Sequence, residues 1–148
     1  MKSILKQLFS LILPVTVLVV IPASIEASRT VEIDALSVFG LAVMAAAGML
    51  FVWIVVFFVR SGKGTLAPWS PAQKLICGGV YAHTRNPMLT CVLTLLLSEA
   101  MVLHSTPILI WCVSFFAINN IYFVLVEEPG LEKRFGEEYS EYKRNVPR

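Results

Sequence analysis

Two short stretches hold residues whose types and spacing can do chemistry: Gly78–Pro87, which reads GGVYAHTRNP, and the pair Glu127-Glu128 about forty residues later. No side chain shields the backbone N–H groups near Gly78 and Gly79. Arg85 offers a planar donor fork suited to a carboxylate or phosphate. Pro87 suits the first turn of a helix, where unpaired N–H groups and a positive helix end add to the attraction for an anion. The two glutamates can accept hydrogen bonds from ribose hydroxyls or from an ammonium. Together these groups complement a zwitterionic, nucleotide-like ligand. The pattern does not point to a nucleophile: Ser70 and Cys77 have no evident base partner, and His83 is the only imidazole close by. No CxxC or Cys/His spacing exists, so no metal site is expected, and Cys77, Cys91 and Cys112 read as free thiols.

The elements that must position these residues are membrane helices. Hydrophobic residues make up 57% of the 148-residue chain and charged residues 15%, well below the quarter or so expected of a soluble domain. Leu36–Val59 and Pro107–Val126 are free of charge and long enough, at ~1.5 Å per residue, to cross a hydrocarbon core of about 30 Å. Met88–Leu103 is shorter and contains Glu99. Leu8–Ile25 is apolar, with Pro14 and Pro22 inside it. Lys2 and Lys6 precede that first run as they would in a signal peptide. However, Ile25 stands two residues before Ala27 and Ile21 two before Ala23, where cleavage wants small residues, so the run reads as a retained span. The expected fold is an all-α integral membrane protein with about four transmembrane helices and a C-terminal amphipathic helix at the interface. It forms a single domain over 1–148, with two N-terminal spans in 1–59 and a motif-bearing core in 60–148.

Charge gives the expected orientation. Lys2 and Lys6 precede the first span. Glu26, Arg29, Glu32 and Asp34 follow it. Arg60, Lys63, Lys74 and Arg85 lie between the second and third spans, and Lys133, Arg134, Lys143, Arg144 and Arg148 follow the fourth. The positive-inside rule then places both termini and the long middle loop in the cytoplasm, the membrane being the inner one if the source is bacterial. The net charge of +2 is read as a topology signal, and no patch of basic residues interleaved with aromatics suggests nucleic acid.

The loop 60–87 is broken by glycine and proline and is too long for a simple connector. The third and fourth spans should form a tight hairpin, with Ser105 or Thr106 capping the fourth and Pro107 in its first turn. With the turn centred near Ser105, neighbours across the hairpin have numbers that sum to about 210. Glu127 and Glu128 then lie level with His83 and Ala82, within a turn of Tyr81, Arg85 and Asn86. Glu99, Asn119 and Asn120 fall deeper along the hairpin and are candidates for an acceptor site. Pro129 and Gly130 are expected to end the fourth span. Leu131, Phe135, Tyr139 and Tyr142 then recur at near-helical spacing as the amphipathic helix. Plainer readings stand beside these: Arg85 as a positive-inside anchor, the glutamates as solvated helix-end residues, and the asparagines as interhelical partners.

At Gly79-Val80-Tyr81 through Arg85-Asn86-Pro87 the chain resembles the GxYxxxRxP signature of integral-membrane methyltransferases. That superfamily includes isoprenylcysteine carboxyl methyltransferase and the phospholipid N-methyltransferases. The likeness extends to GTLAPWSP at Gly64–Pro71 and to EEPGLEKRFGEEYSEYKRNVPR from Glu127. Asn86 stands where the isoprenylcysteine branch usually has histidine, as in bacterial relatives, and Leu89 where it often has tyrosine. The resemblance implies S-adenosylmethionine as cofactor, bound by Gly79, Tyr81, Arg85, Asn86, Pro87, Glu127 and Glu128, and the hairpin count adds His83 to the cofactor-binding candidates. Arg85 and Glu128 would position the reacting groups. It also implies a lipophilic acceptor, carboxylate or amine, reached from the bilayer.

Two other readings fit the same spans. Some membrane reductases have C-terminal regions similar to this one and use NADPH, whose extra phosphate would call for more basic residues than Lys63, Lys74 and Arg85. A non-enzymatic membrane subunit would explain the spans but not the paired motifs.

Overall fold

The computed structural model describes residues 12–26, 32–62 and 74–148. Lys2, Lys6, Arg29, Lys63, Ser70 and the GTLAPWSP stretch lie outside them. The described secondary structure is helical: α1 (Ile12–Ile25), α2 (Ala35–Gly62), a 3-10 turn (Gly79–Ala82), α3 (Pro87–Val102), α4 (Thr106–Phe135) and α5 (Glu137–Asn145). Among the described residues, two helices are long and apolar enough to cross a membrane, Ala35–Arg60 and Thr106–Phe135. The described part of α1 and the whole of α3 are apolar but shorter.

The α3–α4 hairpin forms as its turn residues dictate. The Ser105 N–H donates to the Ala100 carbonyl at 2.9 Å and the His104 N–H to Met101 at 3.4 Å, with His104 at φ 48. This is the Schellman closure, with histidine in place of the usual glycine. Ser105 caps α4, accepting from the Ile108 N–H at 3.2 Å, and Pro107 occupies the first turn.

The main partner of α3, however, is α2 rather than its hairpin mate. Ser37, Gly40, Ala47 and Ile54 recur on the buried face of α2. A Cβ at Gly40 would stand 2.9 Å from Val102 Cγ2 and 3.1 Å from the Ser98 carbonyl, so only glycine lets the two backbones come this close.

Among the described residues, α1 and α4 each carry a π turn just before a proline, Thr16–Val20 before Pro22 and Phe123–Glu127 before Pro129. Proline cannot donate to the preceding turn, and its ring crowds the carbonyl four residues back. A wider turn relieves the crowding. In α1 the Val17 carbonyl, five residues before Pro22, is instead taken by Trp111 Nε1 at 3.3 Å. In α4 the π turn carries the helix through Pro129 and Gly130 to Phe135, which corrects the expected break at those residues. The C-terminal helix differs as well. The run Leu131–Tyr142 is not one helix, because Gly136 at φ 55 and ψ −127 turns the chain between α4 and α5. Leu131, Phe135, Tyr139 and Tyr142 still share one apolar cluster, with Leu75 and Val146. The apolar face of α5 is therefore spent inside the molecule.

Candidate functional site

The 3-10 turn, the start of α3, the π-turned segment of α4 and α5 meet at one end of the hairpin. Gly79 adopts φ +63, and a Cβ there would press on Phe57 at 3.1 Å, so glycine is required on both counts. That turn buries Tyr81, whose ring lies 6.4 Å from Phe57 and 6.3 Å from Phe58. Burial pushes its phenol pKa well above the ordinary tyrosine value. The Tyr81 carbonyl accepts from the Tyr142 hydroxyl at 2.6 Å, which ties α5 to the turn. Asn86 caps α3, its Oδ1 accepting from the Leu89 N–H at 3.2 Å, and Pro87 follows in the first turn.

Arg85 and Glu128 form an ion pair, Nη1 to Oε1, at 2.8 Å. Their side chains are 10% and 5% exposed, so each charge depends on the other. Two further cations converge on the same carboxylate: Lys143 Nζ at 2.8 Å from Oε2, and Arg148 Nη2 at 3.2 Å from Oε1. Hydrogen bonds to Glu128 and Glu132 raise the Lys143 pKa. The Pro147 carbonyl accepts from the Arg85 N–H at 2.9 Å, and the Arg148 guanidinium lies 5.7 Å from the centre of the Phe123 ring. The C-terminal segment thus holds Arg85 by its backbone and, through Glu128, by its side chain.

In front of this network lies a cleft of about 500 Å³, counting the part open to solvent. Tyr81, Arg85 and Glu127 line it, with Phe58, Phe123 and Tyr139 among their neighbours. The two glutamates have different surroundings. Glu128 sits behind Arg85 and is saturated with cations. No ion pair or hydrogen bond engages the Glu127 carboxylate among the described residues, and it faces the cleft.

The structure therefore brings Tyr81, Arg85, Glu127 and Glu128 together as the hairpin arithmetic expected. Gly79, Asn86 and Pro87 shape the backbone around them. His83 is exposed and does not line the cleft. Nor do the acceptor candidates. The Nδ2 atoms of Asn119 and Asn120 donate to carbonyls of their own helix, those of Phe115 and Phe116, and Glu99 sits half-buried near the hairpin turn. The sequence reading missed Lys143, Arg148 and Tyr139, having assigned the two cations only to membrane orientation. A buried glutamate beside a single arginine leaves lone pairs to satisfy, and that was the signal pointing to more cations.

No curated protein and no solved structure gives a significant match to this chain. Residues 35–138 do match a known family, and they span α2, the turn, α3, α4 and the start of α5, including Arg85, Glu127 and Glu128. On that match the chain belongs to the phospholipid methyltransferase family.

Proposed function

We propose that this protein transfers a methyl group from S-adenosylmethionine to a lipophilic acceptor, carboxylate or amine, at the cytoplasmic membrane face. The observation that carries this reading is the cleft in which Arg85 and the uncommitted Glu127 carboxylate meet. The residues fit the cofactor. A buried guanidinium and a free carboxylate suit the two charges of its amino-acid end, and Glu127 is also an acceptor for ribose hydroxyls. Tyr81, Phe58 and Phe123 give aromatic and apolar walls.

When bound, the cofactor supplies a methyl group already activated on a sulfonium. The chain's own residues then need only bind, orient and exclude water. Glu128 holds the Arg85 guanidinium in place, and the Tyr142–Tyr81 bond keeps α5 closed over the cleft. A carboxylate acceptor needs no base. An amine acceptor must first give up its proton to a base. The family's name favours a phospholipid acceptor. α1 and α3, with the bilayer thinned around the shorter helices, would join α2 and α4 as four spans, with the basic segments inside.

The test is purified protein in liposomes supplied with methyl-labelled S-adenosylmethionine. Label is expected in the lipid fraction and absent with Arg85→Ala. Labelling no greater than in protein-free liposomes, across amine and carboxylate lipids, would contradict the proposal.

A further inference from the structure

Two polar atoms in the cleft wall are left over by the network described above. Arg85 Nε and the Tyr139 hydroxyl are buried without a hydrogen-bond partner among the described residues. Tyr139 is 1% exposed, and the Arg85 side chain is nine-tenths buried. The Tyr139 hydroxyl stands near the guanidinium, but not in the geometry of a hydrogen bond. Folding leaves few buried donors unsatisfied, because their lost hydration is then uncompensated. Here two lie side by side, and both residues line the cleft. By contrast Tyr142, one turn away on α5, has its hydroxyl bonded to the Tyr81 carbonyl.

Two neighbouring donors, one of them on a guanidinium edge, match a two-oxygen acceptor. The unpaired Glu127 carboxylate on the same cleft matches a cation. A carboxylate and an ammonium joined through one carbon would satisfy both. We infer that the Tyr139 hydroxyl and Arg85 Nε form a subsite for the carboxylate of an α-amino-acid ligand, so that Tyr139 determines selectivity for ligands that carry that group. This rests on the proposed function, in which the ligand is the methionine end of S-adenosylmethionine. It adds a residue that lies outside both the arginine-proline motif and the glutamate pair.

The test uses full-length protein in detergent, titrated with S-adenosylmethionine and with its decarboxylated form, together with thermal unfolding without ligand. Wild type should prefer the carboxylate-bearing form by about tenfold or more, the worth of a charge-assisted hydrogen bond. Tyr139→Phe should lose most of that preference, by weakening only the carboxylate-bearing form. Its Tm without ligand should stay level or rise, because the hydroxyl has no bond to lose. Tyr142→Phe calibrates this arm, since its hydroxyl does donate and its loss should lower Tm. An intact preference in Tyr139→Phe overturns the inference, as does a fall in Tm with the preference unchanged. Wild type that binds both forms equally refutes the carboxylate subsite but leaves the cofactor reading standing. Wild type that binds neither overturns the cofactor reading itself.

Discussion

The two ends of the α3–α4 hairpin are built on opposite principles. At the turn end, polar side chains satisfy one another. Ser105 caps α4 and donates to Glu26. Ser37 donates to the Glu32 carbonyl at 2.6 Å, and His104 Nε2 lies 3.2 Å from both Ser37 Oγ and Asp34 Oδ1. Serine, histidine and aspartate are the residue types of a hydrolytic triad, but both partners here meet one ring nitrogen, whereas a triad needs the acid on the other. That end is a clamp holding α1, α2 and the hairpin together. At the cleft end, among the described residues, one glutamate is over-supplied with cations while its neighbour has none, and two buried donors go unpaired. Clusters that close on themselves give stability. Those left open are where a ligand completes the structure.

This contrast can be broken in order of expected effect. The largest change should come from Glu128→Ala. Its removal strands the buried Arg85 charge, and the loss should be about 3–5 kcal/mol of stability, seen in denaturant or thermal unfolding. Little change would mean that the buried Arg85 charge does not depend on Glu128. Glu127→Gln should do the reverse, leaving Tm level while weakening S-adenosylmethionine binding by about 1.5–3 kcal/mol, tenfold or more. Ser105→Ala tests the other end. Loss of the cap should cost about 1 kcal/mol, within a range of about 0.5–2, with cofactor affinity untouched.

The smallest expected effect is that of pH at the clamp. Asp34 is held below its ordinary 3.8, chiefly by the Ser37 N–H. A depressed carboxyl pKa contributes stability above the unfolded value. That contribution is lost as pH falls from 3.8 through the lower folded value. Asp34→Asn should flatten the acid limb of an unfolding profile; an unchanged limb would remove Asp34 from the clamp.

Much of the frame was legible in the sequence. The charge-free run Leu36–Val59 became the body of α2, and the predicted Ser105 cap and Pro87 entry formed. Counting across the hairpin placed Arg85 level with the glutamates. What could not be read depended on local departures from regular helix. The π turn at Phe123–Glu127 shifts the phase of α4, so a regular 3.6-residue projection does not tell which of the two glutamates meets Arg85. The same turn carries the helix past Pro129, where simple proline rules predict a stop. The role of Lys143 and Arg148 depends on Gly136 turning α5 back over the site. A left-handed glycine can be suspected from sequence, but the direction of the return is set by the packing of Tyr139 and Tyr142.

The claim that the cleft end holds the cofactor and the turn end does not is tested most directly by calorimetric titration of S-adenosylmethionine into wild type, Glu127→Gln and Ser105→Ala. The account predicts micromolar binding by wild type, roughly −8 kcal/mol, and the same affinity in Ser105→Ala. In Glu127→Gln, affinity should be at least about tenfold weaker while the protein remains folded. Equal affinity in wild type and Glu127→Gln, or a loss confined to Ser105→Ala, would contradict it.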